Sequence, residues 1–221
     1  MSFEVEVLLT EFVTHDVKRF VVNRPEALEY QPGQGVTLAV DEPEWVKKKR
    51  PFTPTNLGNA RVLEFTIKGY PERKGVTHRL HSLQPGARLR MSDSFGSLTY
   101  HGPGWFIAGG AGITPMMAML RKLAAEDALD GHGLIFANRT AADIICEKEF
   151  RHYLGDRCLY LCEEAQGMPY PEGRVNKDFL ARHIDDFDQR FYVCGPPPFN
   201  KAVMTALGEL GAKPDALVLE A

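Results

Sequence analysis

No run of apolar residues in this chain comes near the roughly 20 that a membrane-spanning helix needs. The opening MSFEVEVLLTEF carries acids where a secretion signal would have its basic first segment, so a cytoplasmic location is expected. Cysteine is scarce: Cys146, Cys158, Cys162 and Cys194 form neither a paired C-x-x-C zinc pattern nor the spacing of an iron–sulfur module. Free thiols in a reducing compartment are the expectation, with no metal and no iron–sulfur cluster in this chain. The seven histidines show no metal-ligand spacing either. A net charge of -3 is too small to suggest nucleic-acid binding. Internal repeats and low-complexity segments are also missing.

What is present changes character midway. The 221 residues leave room for one large domain or two of roughly 100 residues each. The first half reads as short strands at 3–10, 17–23, 36–41, 52–57, 61–68 and 88–91, separated by turns such as QPGQG and QPGAR. Strands so close together, with one short helix near 77–83, predict an antiparallel barrel or sandwich. In the second half, strands at 105–108, 133–137, 158–162 and 191–194 alternate with helices at 115–127, 147–153, 177–183 and 197–211. That βαβ rhythm predicts a parallel sheet with flanking helices and a site at the strand carboxyl ends. The change falls in YHGPG, which divides the chain into residues 1–101 and 102–221. Charge divides with it: residues 1–104 are net +2 and residues 105–221 net -5.

Four stretches draw attention. WFIAGGAGITPM runs from an apolar strand through Gly109–Gly112 to Thr114, a candidate N-cap, and Pro115, a candidate first helical residue. Met116, Met117, Leu120, Leu123 and Ala124 then recur as one buried face. Glycines with a helix start suit a phosphate group held against backbone, and equally a tight structural turn without a ligand. FYVCGPPPF ends a second strand at Cys194 and Gly195 and opens a helix with prolines, at the same sheet edge. In KKKRPFTPTN, Arg50 offers a fork for phosphate, Phe52 a flat face and Thr53 a hydroxyl, although a basic edge strand with a core Phe reads the same way. In KGVTHRL, Gly75 precedes a helix start that could hold an anion.

Together these stretches resemble the ferredoxin–NADP reductase superfamily, over nearly the whole chain and in the family's order. RPFT is similar to its flavin motif, GVT to its flavin-phosphate motif, and GGAGITP and CGPPPF to its two nicotinamide-nucleotide motifs. NRTAADII, residues 138–145, resembles the segment that meets the adenosine ribose. The resemblance implies an N-terminal flavin-binding antiparallel β-barrel followed by an NAD(P)-binding α/β domain. FAD is favoured over FMN, with NAD(P)H as hydride donor. Arg50 would hold the flavin phosphate, with Pro51 beside it, Phe52 stacked on the ring and Thr53 near its N5. Gly75, Val76 and Thr77 would hold the pyrophosphate, and Ile67 and Lys68 would also line the flavin. Gly110, Gly112, Ile113, Thr114 and Pro115 would shape the nicotinamide-nucleotide site. Asn138 and Arg139 would lie at its ribose end, and Cys194, Gly195 and Pro196 at its nicotinamide end. Thr53, Cys194 and Glu220 are the candidate catalytic residues.

The family often places an aromatic ring at or near the C-terminus against the flavin. Here the residues are LVLEA, so Glu220 is kept, Ala221 offers no ring, and nicotinamide is expected to reach the flavin without displacing one. With no iron–sulfur domain in the sequence, electrons are expected to pass to a separate acceptor. Lys47, Lys48, Lys49, Arg73 and Lys74 suit an acidic flavodoxin or ferredoxin, or form a solvated basic face. The alternative function is a non-catalytic or electron-relay flavin subunit docked on a larger redox complex. Preference between NADH and NADPH stays open, because Arg139 suits a 2′-phosphate while similar segments occur in NADH users.

Overall fold

Alternation of apolar with polar side chains gives each N-terminal strand one face that water rejects. Val5 and Val7 of β1 (Ser2–Phe12), Phe20 and Val22 of β2 (Val17–Asn23), and Leu63, Phe65 and Ile67 of β5 (Val62–Lys68) are buried in one core. β3 (Val36–Val40) and β6 (Arg88–Ser92) add Leu38, Leu89 and Met91. The computed structural model describes residues 2–96, 98–165 and 167–219, except the side chains of Ala216 and Leu219.

With β4 (Arg50–Phe52), these strands form a six-stranded antiparallel sheet in the order β4-β3-β6-β1-β2-β5. β1 serves two neighbours: Ser2–Glu6 pair with β6, and Val7 onward with β2. An extra residue, Leu8, between the pairs Val7–Val22 and Leu9–Val21 bends the strand where its partner changes. The sheet's two ends meet just after β4, where Pro54 bridges Phe65 and the Thr55 amide donates to the Glu64 carbonyl at 2.7 Å. A nearly closed barrel results, which decides between the barrel and the sandwich. The strand predicted over 52–57 is instead regular only at Arg50–Phe52, because Pro51 and Pro54 supply no N–H to a ladder. Helix α1 (Val76–His81) sends Val76 and Leu80 into the barrel core.

The second half forms a parallel sheet of β7 (Gly104–Gly109), β8 (Gly133–Asn138), β9 (Cys158–Cys162), β10 (Arg190–Cys194) and β11 (Leu217–Leu219). The order is β11-β10-β7-β8-β9. Between the strands run α2 (Thr114–Ala125), α3 (Glu147–Leu154), α4 (Lys177–His183) and α5 (Pro197–Glu209). Trp105, Ile107, Phe191 and Val193 form one face with Phe179 and Leu180 of α4 and Val203 and Leu207 of α5. Phe106, Phe136 and Tyr192, at alternate positions, are buried on the other. Helix α2 departs from its expected single apolar face: Pro115–Leu120 are buried without a break, as in a helix enclosed on all sides, and Ala124 is only half-buried. The molecule divides into two compact units, one of the barrel with Thr114–Lys122, the other of Leu98–Ile113 with the chain from Leu123 onward. Among the described residues no helix is long and apolar enough to cross a membrane.

Two histidines, His81 half-buried and His132 buried, link the fold to pH. His81 of α1 places Nε2 2.8 Å from the Ile67 carbonyl. His132, just before β8, stacks on Phe106; its Nε2 lies 2.9 Å from the Tyr100 hydroxyl and its Nδ1 3.1 Å from the Leu129 carbonyl. A neutral ring with its proton on Nδ1 satisfies both partners of His132. Burial pulls the pKa of each below the ordinary 6.5. The unfolded chain therefore binds these protons more readily than the folded one. Stability should hold above about pH 6.5 and decline below it, until the folded histidines themselves titrate. Urea midpoints measured between about pH 7 and pH 5 test this; His132→Phe should make the decline shallower, whatever it does to the midpoint.

Candidate functional site

The segment Arg50–Thr53 leaves the barrel edge with its side chains sorted by depth. Arg50 and Pro51 are exposed, Phe52 is half-buried against the barrel core, and Thr53 is buried. Among the described residues, the Arg50 guanidinium meets one backbone carbonyl, that of Lys49 at 2.9 Å, and no carboxylate. The Thr53 hydroxyl has no hydrogen-bond partner among the described residues. Its neighbour Thr55 differs, with the Glu64 carbonyl and Oε1 each at 3.2 Å and the Thr66 hydroxyl at 3.4 Å. With its own hydroxyl uncommitted, Thr53 is suited to a ligand in a way that Thr55 is not.

A charged network holds this segment from beneath. Arg121 of α2 donates through Nη1 to the Thr55 carbonyl at 2.7 Å and to Glu64 Oε1 at 2.8 Å. Arg19 reaches the other Glu64 oxygen at 3.4 Å. Side-chain exposure is 14% for Glu64 and 19% for Arg121, so the pair is largely withdrawn from water. Removing one partner of a fully buried pair costs about 3–5 kcal/mol. Residual solvent access and the remaining Arg19 reduce this, and Arg121→Met should cost about 1–2 kcal/mol in urea unfolding. A double-mutant cycle with Glu64→Gln should be non-additive; simple additivity would show that the pair is not coupled.

At α1, Gly75 is the N-cap and no side chain caps the first turn. The far end is pinned: Lys18 Nζ donates to the His81 carbonyl at 2.8 Å, and Arg79 Nε meets Glu42 Oε2 at 2.9 Å. The hydrogen bond to Arg79 holds the Glu42 carboxyl below the usual carboxylate range. Uncapped amides at Val76 and Thr77 on a fixed helix are the arrangement that holds a phosphate. Ile67 and Lys68 are engaged elsewhere. The Ile67 side chain is in the barrel core, and the Lys68 ammonium pairs with Asp16 at 2.8 Å.

In the parallel sheet, β7 and β10 are neighbours, and their following connections lead to opposite sides, to β8 and to β11. The carboxyl ends of such a pair form the crevice where open α/β sheets bind nucleotides. From β7 the chain enters a 3-10 turn, Gly110–Ile113, with Gly110 at φ +53°, and passes directly into α2. Thr114 is therefore the helix's first residue rather than a cap ahead of it. A Cβ on Gly112 would overlap the Cys194 carbonyl oxygen and stand 2.8 Å from Gly195 Cα, so the two turns touch backbone to backbone. The Phe199 ring packs on both Gly109 and Gly195. Cys194 is buried at the end of β10. Pro196, Pro197 and Pro198 have no N–H to donate, so the start of α5 is poor in anion-binding groups and that capacity lies with the Gly110–Thr114 turn.

Asn138 ends β8. It is only 6% exposed, yet neither its Oδ1 nor its Nδ2 has a hydrogen-bond partner. Such an amide is expensive unless a ligand completes it. The unpaired Thr53 hydroxyl, the uncapped α1 start, the Gly112 contact and the orphaned Asn138 amide all fit dinucleotides. Arg139 follows, exposed, with Nε 3.0 Å from Glu164 Oε1. Glu220 lies outside the described residues, as does Ala221. Phe199, Arg121, Glu64 and Glu164 were absent from the sequence-derived site. Phe199 closes the CGPPPF motif and had a signal there; the other three had none.

Comparison with known proteins agrees with this organisation. The oxidoreductase FAD-binding domain family matches residues 4–100, and the oxidoreductase NAD-binding domain family matches residues 106–205. NADH-cytochrome b5 reductase 2 of Mycosarcoma maydis is 28% identical over 95% of this chain and 66% of its own length. NADH--cytochrome b5 reductase 1 of Arabidopsis thaliana is 28% identical over 96% of this chain and 81% of its own. The ferredoxin--NAD(P)(+) reductase component of a Ralstonia naphthalene 1,2-dioxygenase/salicylate 5-hydroxylase system is 27% identical over 91% of this chain; the chain spans 63% of it. The FAD/NAD-binding domain of a Vibrio cholerae nitric oxide dioxygenase shares the fold, with a TM-score of 0.87 at 22% identity, covering 97% of this chain and 96% of that one.

Proposed function

Since the chain belongs to the ferredoxin–NADP reductase superfamily, with an oxidoreductase FAD-binding domain followed by an oxidoreductase NAD-binding domain, we propose that it is an FAD-dependent NAD(P)H reductase serving a separate electron acceptor. When bound, FAD accepts the hydride of NAD(P)H and releases the electrons onward. The chain's own residues bind and orient. Arg50 pairs with the flavin phosphate, the Gly75–Thr77 amides hold the pyrophosphate, Phe52 packs on the ring, and Thr53 completes its hydrogen bond there. The Gly110–Pro115 turn lets the nicotinamide nucleotide lie against backbone, Asn138 fixes its ribose end, and Cys194 stands beside the nicotinamide. The observation that carries this reading is the buried, partnerless Asn138 amide at the strand ends of a sheet whose β7 and β10 form a nucleotide crevice.

The relatives' names point to two acceptor classes, cytochrome b5 and the components of oxygenase systems. Lys47, Lys48, Lys49 and Arg50 are consecutive, exposed and free of carboxylate partners among the described residues, which supports an acidic one-electron carrier. The deciding experiment is an anaerobic absorbance titration. The purified holoprotein should show a flavin band near roughly 450 nm that bleaches on addition of a nicotinamide nucleotide. A protein that binds no FAD on reconstitution, or whose flavin neither NADH nor NADPH reduces, overturns the reading. Turnover with an acidic carrier should slow as salt rises; a rate indifferent to ionic strength removes the docking part alone.

A further inference from the structure

Arg139 by itself speaks for NADPH, since a guanidinium at the end of the second strand is a natural receptor for a 2′-phosphate. Its surroundings speak otherwise. Past the ends of β8 and β9, two further backbone hydrogen bonds extend the pairing: Glu163 N to the Asn138 carbonyl at 3.0 Å and Glu164 N to the Arg139 carbonyl at 2.8 Å. Arg139 and Glu164 are thereby held opposite one another by main chain, and their side chains join at 3.0 Å. The neighbouring cation is also committed, with Arg174 Nε 3.0 Å from Glu163 Oε1 and its Nη2 3.0 Å from Oε2. Asp143, folded back on the Thr140 amide at 2.9 Å, adds a third carboxylate to the field around Arg139.

We propose that Glu164, by occupying Arg139 at the ribose end of the nucleotide site, makes this chain selective for NADH over NADPH. The proposal rests on the reductase reading and assigns its donor. A ribose 2′-hydroxyl is neutral and can donate to a Glu164 oxygen while the ion pair stays intact. A 2′-phosphate brings nearly two negative charges to a place where three carboxylates already face two guanidiniums, and it must compete with Glu164 for Arg139. The orphaned Asn138 amide beside Arg139 is independent support that a ligand reaches this end of the sheet.

The test pairs binding with turnover, on the holoenzyme. In calorimetry, 5′-AMP and adenosine 2′,5′-bisphosphate differ only by the 2′-phosphate. 5′-AMP should bind the wild type at least as tightly as the bisphosphate, and Glu164→Gln should tighten the bisphosphate alone, by about tenfold. In turnover, kcat/KM should favour NADH by about tenfold or more, and Glu164→Gln should raise the value for NADPH. Removing Arg139 in the double variant Glu164→Gln/Arg139→Ala should cancel that gain, because the freed guanidinium is its source. Tighter binding of the bisphosphate to the wild type, or a preference unmoved by Glu164→Gln, overturns the selectivity proposal while the reductase reading stands. Failure of both nucleotides to bind, with flavin that no donor reduces, overturns both.

Discussion

Gly112→Ala should lower kcat/KM for the nicotinamide donor by about 100-fold or more while the flavin stays bound. The added Cβ meets backbone, the Cys194 carbonyl and Gly195 Cα, not the flexible end of a side chain. Nothing there can rotate away, so the turn after β7 and the turn after β10 must move apart. Those two turns flank the crevice at the sheet's switch point, and a displacement of about 1 Å in a positioning element is worth about two orders of magnitude in rate. Gly110→Ala is the informative contrast. Gly110 sits at φ +53° with nothing within 4 Å of its would-be Cβ, so alanine there carries only backbone strain of about 1–2 kcal/mol. Two glycines, two residues apart, should therefore fail for different reasons and by different amounts. FAD content and steady-state kinetics on both variants check this; equal losses in the two would show that space at Gly112 is not the controlling quantity.

The same turn shows what the sequence could and could not reveal. The apolar strand, the glycines and Pro115 were legible because each reports a local preference: burial, close approach, a fixed φ. The βαβ rhythm placed the two glycine turns at one sheet edge, and alternation gave the barrel strands, whereas the β7-β10 adjacency itself is visible only in the fold. Short or irregular elements were not legible. β11 is three residues with no pattern of its own, and β4 ends early because prolines break its ladder. Distant pairs were the least visible. Glu64 and Arg121 are 57 positions apart, and Arg139 and Glu164 are 25 apart. No local rule links them; only the folded chain brings them to hydrogen-bond distance. Asn138 entered the sequence-derived site through the family resemblance alone, and Thr53 took its role there from the same resemblance; that the Asn138 amide is buried with neither polar atom paired is visible only in the fold.

Arg50→Ala should weaken FAD binding by about 10- to 150-fold, the equivalent of about 1.5–3 kcal/mol for a hydrogen-bonded pair with a charged group. The argument starts from what Arg50 does not do in the protein. It is exposed, it meets no carboxylate among the described residues, and its one hydrogen bond is to the adjacent Lys49 carbonyl. Its charge therefore contributes little to the fold, and its loss should leave the unfolding free energy of the apoprotein, measured in urea, unchanged within about 0.5 kcal/mol. This separates it from Arg121, whose charge is engaged with Glu64 and whose loss should appear in stability first. Lys49→Ala, one position away and also exposed, controls for general electrostatics. It removes the same charge without the planar fork and should change FAD affinity far less than Arg50→Ala. Arg50→Lys should recover only part of the affinity, because an ammonium cannot engage two phosphate oxygens in one plane. Flavin fluorescence titration of the apoprotein and its variants measures each step. Should Arg50→Ala and Lys49→Ala weaken FAD equally, the basic run would act as a diffuse field, and Arg50 would lose its specific role.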